Sequence, residues 1–160
     1  MRFLSTFVAG CLIFAASSAF AGNLLVSQME DGDRIEVTEH SVGCFHDRMS
    51  YYEIQKSHGS YIAREYDIIW GNGNPPPLVD KRIIDSVVLN EKQVRGLDGL
   101  LKFYRGPKDA SSTTVVSLLF EYYEGKKRVE VERLSDDTGG YGLDERKDVV
   151  TFNSLFFQRH

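Results

Sequence analysis

One stretch limits the fold of this chain more than any other: Asn90 to Pro107 carries a full set of helix signals, and most of its surroundings read as strand. Asn90 stands where a cap must accept a free amide of the first turn, and Gln93, three residues on, can return the bond. Glu91 suits the positive helix start, Lys102 and Arg105 suit the negative end, and Gly106-Pro107 stops the run. At about 100° per residue, Val94, Leu97, Leu100, Leu101 and Tyr104 share one apolar arc, so the helix Glu91 to Arg105 is expected to lie on a sheet. Gly96 and Gly99 each cost about 1 kcal/mol against alanine, which points to another backbone approaching that edge.

Strand patterns supply the sheet. In Arg34 to Val42, Ile35 and Val37 alternate with Arg34, Glu36, Thr38 and His40, the period-two pattern of a strand with one wet face. Ser50 to Lys56 and Ser60 to Asp67 flank Ser57-His58-Gly59, a tight hairpin with His58 at its tip and Gly59 able to take positive φ. Residues 71–80 include Pro75, Pro76 and Pro77, which supply no amide donors, so this segment is expected to be an irregular loop. Arg82 to Leu89 returns to strand. Thr113 to Tyr123 is the most apolar strand, with Val115, Val116, Leu118, Leu119 and Phe120 on both faces, as expected near the middle of a covered sheet. Lys127 to Leu134 should pair with it across Glu124-Gly125-Lys126, with Val129 and Val131 inward, and Ser135 to Lys147 reads as a polar loop. From Asp148 to Gln158, Val149, Val150 and Thr151 favour strand, while Val149, Phe152 and Phe156 fit a helical stripe capped from Asp144; helix is the reading taken. The architecture expected is α+β: a twisted antiparallel sheet of about five to seven strands, one capped helix on a face and a possible second helix at the C-terminus.

Residues 1–21 read as a cleaved export signal, with Arg2 as the positive end, an apolar run from Leu4 to Phe14, and Ala19-Phe20-Ala21 as the peptidase site. The run is far short of the ~20 residues of a transmembrane helix. Val8-Ala9-Gly10-Cys11 looks like a lipobox, but few residues precede Cys11 and the apolar Leu12 to Phe14 would follow it, so lipid attachment is the lesser reading. Residues 22–160 are then one globular α+β domain in the periplasm or outside the cell, large enough for a hydrophobic core without disulfides. No Asn-x-Ser/Thr sequon occurs, a point in favour of a bacterial envelope. Of 19 Lys and Arg only Arg2 falls in the leader, and none of the 23 Asp and Glu does, so this body carries a net charge near −5. That balance argues against a nucleic-acid partner, and none is expected; the one basic cluster, Lys126-Lys127-Arg128, sits at an expected hairpin turn.

The sharpest chemical cluster is Gly43-Cys44-Phe45-His46-Asp47, because a thiolate is both nucleophile and soft metal ligand and imidazole can lower its pKa. If the strand continues, His40, Val42, Cys44 and His46 share a face and Asp47 points away. Zinc needs three or four ligands, and no second CxxC or HxxxH accompanies this set, so a buried structural Cys44 is the stronger reading. Cys44 is the only cysteine after the leader, which rules out an intramolecular disulfide. Glu30-Asp31-Gly32-Asp33, Asp136-Asp137 and Asp144-Glu145 lack EF-hand spacing and read as solvated turns. Thr138-Gly139-Gly140-Tyr141-Gly142 lacks the lysine of a P-loop, and no GxSxG elbow occurs.

With no catalytic set and no cofactor motif, the function expected is non-enzymatic binding of another protein, suited by charge to a basic partner, as an envelope inhibitor, immunity or accessory factor. The binding surface expected is Trp70, Asn72, Asn74, Pro75, Pro76, Pro77 and Leu78, an aromatic beside a stiffened loop that loses little entropy on docking, together with exposed tyrosines such as Tyr51 and Tyr61 on the hairpin. Two alternatives stand: an envelope enzyme or metal protein using Cys44 and His46, and a self-assembling subunit linked through Cys44.

Overall fold

The structure, a computed structural model, describes residues 24–72, 78–107, 112–138 and 150–156. Six strands form one antiparallel open sheet: β1 (Arg34–Gly43), β2 (His46–Ser57), β3 (Ser60–Trp70), β4 (Leu78–Leu89), β5 (Val115–Glu124) and β6 (Lys127–Asp136), in the order β4-β3-β2-β1-β5-β6. The helix α1 (Glu91–Arg105) follows β4, and a short helix α2 (Phe152–Phe156) lies near the C-terminus. Strands β1 to β4 are joined by successive hairpins. α1 then crosses from the β4 edge to β5, which runs the same way as β4, and a strand-to-strand return of that sense needs such a crossover.

Hairpin chemistry follows the sequence closely. His58 and Gly59 take φ of 50° and 75° between paired Ser57 and Ser60, the two left-handed residues that match a turn to the twist of its strands. At the start of α1, the Asn90 side chain accepts from the Gln93 amide at 2.9 Å and Gln93 accepts from the Asn90 amide at 2.9 Å. All five residues of the expected apolar arc are buried. The backbone approach anticipated at the glycines exists at Gly96, whose carbonyl accepts from the Val150 amide at 3.3 Å.

The core lies between α1 and one face of the sheet. Register places Ile35 and Val37 of β1, Tyr52 and Ile54 of β2, Ala63 of β3, and Leu118, Phe120 and Tyr122 of β5 on this side, all essentially dry. A 3-10 turn at Val26–Gln28 plugs the end of this layer with Val26 and Met29, tied by the Ser27 amide to Asp98 and by Arg105 to the Leu24 carbonyl. α2 closes the opposite end: Phe152 and Phe156 stack on Tyr52 at 5.3 and 6.0 Å between centroids, and the Tyr52 hydroxyl donates to Asn153 at 2.6 Å.

Several expectations change. β5 is covered on one face only, because it lies one strand from the edge and no described helix reaches its other side; Leu118 and Phe120 are buried while Val115 is exposed. Val129 and Val131 do not point inward. Val129 falls in a bulge of the edge strand β6 and Val131 opposes Glu121 on the uncovered side, so both are exposed. β4 begins at Leu78 and β6 extends to Asp136, which takes residues 78–80 and 135–136 out of the loops expected there. Phe152 and Phe156 of the C-terminal stripe lie on a helix that begins after Thr151, whose hydroxyl accepts from the Ser154 amide at 3.2 Å; Val149 and the expected cap Asp144 lie outside the described residues. Residues 1–21, read from the sequence as an export signal, also lie outside them.

Candidate site on the open face of the sheet

The side of the sheet away from α1 carries a different chemistry. Glu36 of β1 is directly opposite Glu53 of β2 on one side and Glu121 of β5 on the other. Three carboxylates abreast repel one another unless cations intervene. Arg34 donates to Glu36 at 3.0 Å, Arg64 bonds Glu53, and Arg128 bonds Glu121. The fourth cation is Lys81 of β4, whose ammonium reaches within 3.5 Å of Glu36 after passing 4.8 Å from the Tyr66 ring and 5.9 Å from the Tyr51 ring. Because β4 and β1 are three strands apart in the sheet, that reach requires the sheet to curl toward this side.

Aromatic rings fill the spaces between the charges. The Arg34 guanidinium lies 3.7 Å over the Tyr123 ring and also donates to the Gly125 carbonyl at 2.9 Å. Tyr66 donates to Glu53 at 3.2 Å; burial and the neighbouring Glu53 push its hydroxyl above the ordinary tyrosine range. Burial, with Glu36 and Glu121 beside it, pushes Tyr123 the same way. Although no described helix lies on them, the carboxylates of Glu36 and Glu53 keep only 13% and 12% side-chain exposure, since the long side chains lie along one another. Around this network the exposed Val42, Met49, Ile83, Val88 and Val115 form an apolar rim. A groove of about 780 Å³ runs from Arg34, Tyr123 and Arg128 around the end of the sheet to Met29 and Tyr122.

The surface expected around Trp70 is only partly within view. Trp70 pairs with Leu78 through the backbone, which closes the β3–β4 connection at the same end of the sheet as the Cys44-Phe45 turn, and Asn72 is exposed. Asn74, Pro75, Pro76 and Pro77 lie outside the described residues, as do the side chains of Trp70 and Leu78.

The expected face of His40, Val42, Cys44 and His46 does not form. β1 stops at Gly43, paired with His46, so Cys44 and Phe45 make a two-residue turn and the register reverses there. His40 stays on the open face, where its Nε2 meets Asp47 at 2.7 Å, so Asp47 does not point away from it. His46 turns to the other face, within 2.9 Å of the Ser41 hydroxyl. Its ring lies against Gly43, where a Cβ would come within 2.5 Å of it. Cys44 is exposed rather than buried. Among the described residues, no three His, Cys, Asp or Glu side chains converge as metal ligands would.

Of the acidic runs, Asp31 and Asp33 cap backbone amides in exposed turns, accepting from Gly59 at 2.9 Å and Glu30 at 2.7 Å. Asp136 is not a solvated turn residue: it is buried, with one carboxylate oxygen accepting the Thr138 amide and hydroxyl at 2.9 and 2.6 Å. The open-face network itself was missed from the sequence. Its signal was the outward set of each strand, Arg34 and Glu36, then Glu53, then Arg64, then Glu121, but the register that aligns them depends on pairings far apart in the chain.

No described helix is long and apolar enough to cross a membrane. No protein-family model matches the chain, and neither a curated protein nor a solved structure matches it.

Proposed function

We propose that the protein is exported by its leader and acts without catalysis, binding another protein through the open face of the sheet. The observation that carries this reading is the grouping of Arg34, Arg64, Tyr51, Tyr66 and Tyr123 side by side within an apolar rim. Arginine and tyrosine dominate the energetics of protein interfaces, and a rigid sheet holds them in place before the partner arrives. The partner presents a basic segment, which the net charge near −5 of residues 22–160 would draw in and the Glu36, Glu53 and Glu121 row would orient. An inhibitor, immunity or accessory role in a bacterial envelope suits such a surface.

Affinity capture from envelope extract tests it with three forms of residues 22–160: unaltered, Arg34→Ala with Tyr51→Ala, and residues 71–77 replaced by a Gly/Ser linker. The open-face variant is expected to lose a partner that the linker variant keeps. The reverse pattern would move the site to the Trp70 loop, and retention by both would reject the assignment. The exposed thiol of Cys44 supports a second reading, a subunit joined to its copy by a disulfide, which a band at twice the monomer mass on a non-reducing gel would support.

A further inference from the structure

The two edges of the sheet differ. β6 spreads charge along its length, with Lys127, Arg128, Glu130, Glu132 and Arg133, a composition that keeps an edge from pairing. β4 gathers its charges at Asp80, Lys81, Arg82 and Asp85 and leaves Val79, Ile83, Ile84 and Val88 exposed, at 64, 51, 59 and 66%. Such an edge is a template for another strand.

We infer that the strand it takes is β4 of a second copy, antiparallel, about a two-fold axis midway between Ile83 and Ile84. The sequence of β4 is close to self-complementary about that point. Read outward, Ile83 of one copy meets Ile84 of the other, Arg82 meets Asp85, Lys81 meets Ser86, Asp80 meets Val87, and Val79 meets Val88. The axis repeats each pair, so the interface gains two Arg82–Asp85 ion pairs and sets apolar residues together at its centre and ends.

This register joins residues an odd number of positions apart, which in a regular strand would put partners on opposite faces. A bulge removes the conflict. Glu65 pairs with Asp85 while the next residue, Tyr66, pairs with Ile83, so Ile84 is the extra residue and the alternation shifts by one across it. Arg82 and Asp85, opposite Asp67 and Glu65, therefore share the helix side of the sheet, and Lys81 and Ser86, opposite Ile68 and Arg64, share the open side. Between Asp80 and Val87 self-pairing thus continues each face of one copy into the same face of the other, and two open faces become one surface; Val79 is the extra residue of a second bulge, where Ile69 pairs with Asp80 and Trp70 with Leu78. The inference shares Ile83 and Val88 with the rim of the open face but does not rest on the binding reading, since self-association can be present or absent whatever the open face binds.

Sedimentation of residues 22–160 under reducing conditions tests it. The unaltered protein is expected to be a dimer. Arg82→Asp sets acid against acid and should raise the dissociation constant at least about tenfold. Arg82→Asp with Asp85→Arg should restore the dimer, and Ile84→Lys should abolish it. Arg82 also bonds Asp67 at 3.0 Å within its own chain, so Asp67→Ala is the control for that loss and should remain dimeric. Circular dichroism identifies any variant that has unfolded; for such a variant, hydrogen exchange in the unaltered protein is decisive, with β4 amides expected to gain protection as concentration rises. A monomer at every concentration, a dimer indifferent to both single changes, or a folded charge-swapped double variant that stays monomeric would overturn it.

Discussion

The two faces of this sheet are built from the same six strands, often from adjacent residues, and are stabilised by different means. On the side of α1, Ile35, Val37, Tyr52 and Phe120 are removed from water almost completely, a gain of roughly 25 cal/mol per Å² that does not depend on direction. One residue away along each strand, Arg34, Glu36, Tyr51 and Glu121 stay at least partly wet and meet through ion pairs and ring contacts that demand a particular alignment. The comparison separates two ways of holding one sheet together: the covered face buries apolar side chains, and the open face aligns a fixed pattern of charge.

The sharpest way to break that division is to empty the covered face. Phe152→Ala removes the ring stacked on Tyr52 and tilted against Phe120, and is expected to cost about 3–5 kcal/mol in urea unfolding. A loss below about 1 kcal/mol would mean that α2 does not seal the core. Next in size is Arg105→Ala. Arg105 holds Glu132 through two nitrogens, donates to the Tyr122 hydroxyl at 3.2 Å and to the Leu24 carbonyl at 3.1 Å, and its pair is mostly shielded. Between the worth of surface pairs and the larger cost of breaking buried ones, about 2–3 kcal/mol is expected. Alkaline titration probes the same layer. Burial pushes the Tyr52 hydroxyl up to about 12, so its contribution is complete below the ordinary 10 and is lost as pH rises through about 12. Stability measured across that window should fall, and Tyr52→Phe should flatten the fall.

The local signals were legible in the sequence and the long-range ones were not. Asn90 with Gln93, the His58-Gly59 turn and the apolar arc of α1 are all written within a few residues of one another, and each physical cause acts over that distance. The end of β1 was misread because a face shared by His40, Cys44 and His46 requires the strand to run on, whereas the hydrogen-bonded pair Gly43–His46 turns it back after two residues. Val129 and Val131 look like core by alternation alone; their exposure follows from β6 being an edge, which only the order of strands decides. The alignment of Glu36 between Glu53 and Glu121 has the same origin.

Glu39 offers a finer test, because it belongs to the covered face without being apolar. It sits between Ser50 and Leu118, and burial raises its carboxyl above the ordinary 4.5, with Arg48 opposing the shift. A carboxyl raised on folding stabilises the folded state fully only below its unfolded value, and that contribution is lost as pH rises through the folded one. Stability should therefore fall with pH above about 4.5, and Glu39→Gln should raise the urea midpoint at pH 7 while removing that slope. An unchanged midpoint would mean that Arg48 fully offsets the burial.

The smallest expected effect bears most directly on the open face. Met49 points to the uncovered side and is half exposed, so Met49→Ala should change stability by no more than about 0.5 kcal/mol. The value of the measurement lies in its contrast with Phe152→Ala, made by the same method in the same protein. A surface held for a partner should be nearly silent in unfolding and audible only in binding. Were Met49→Ala to cost as much as a core truncation, the open face would be covered in the folded chain, and Arg34, Tyr51 and Tyr66 would belong to a second core.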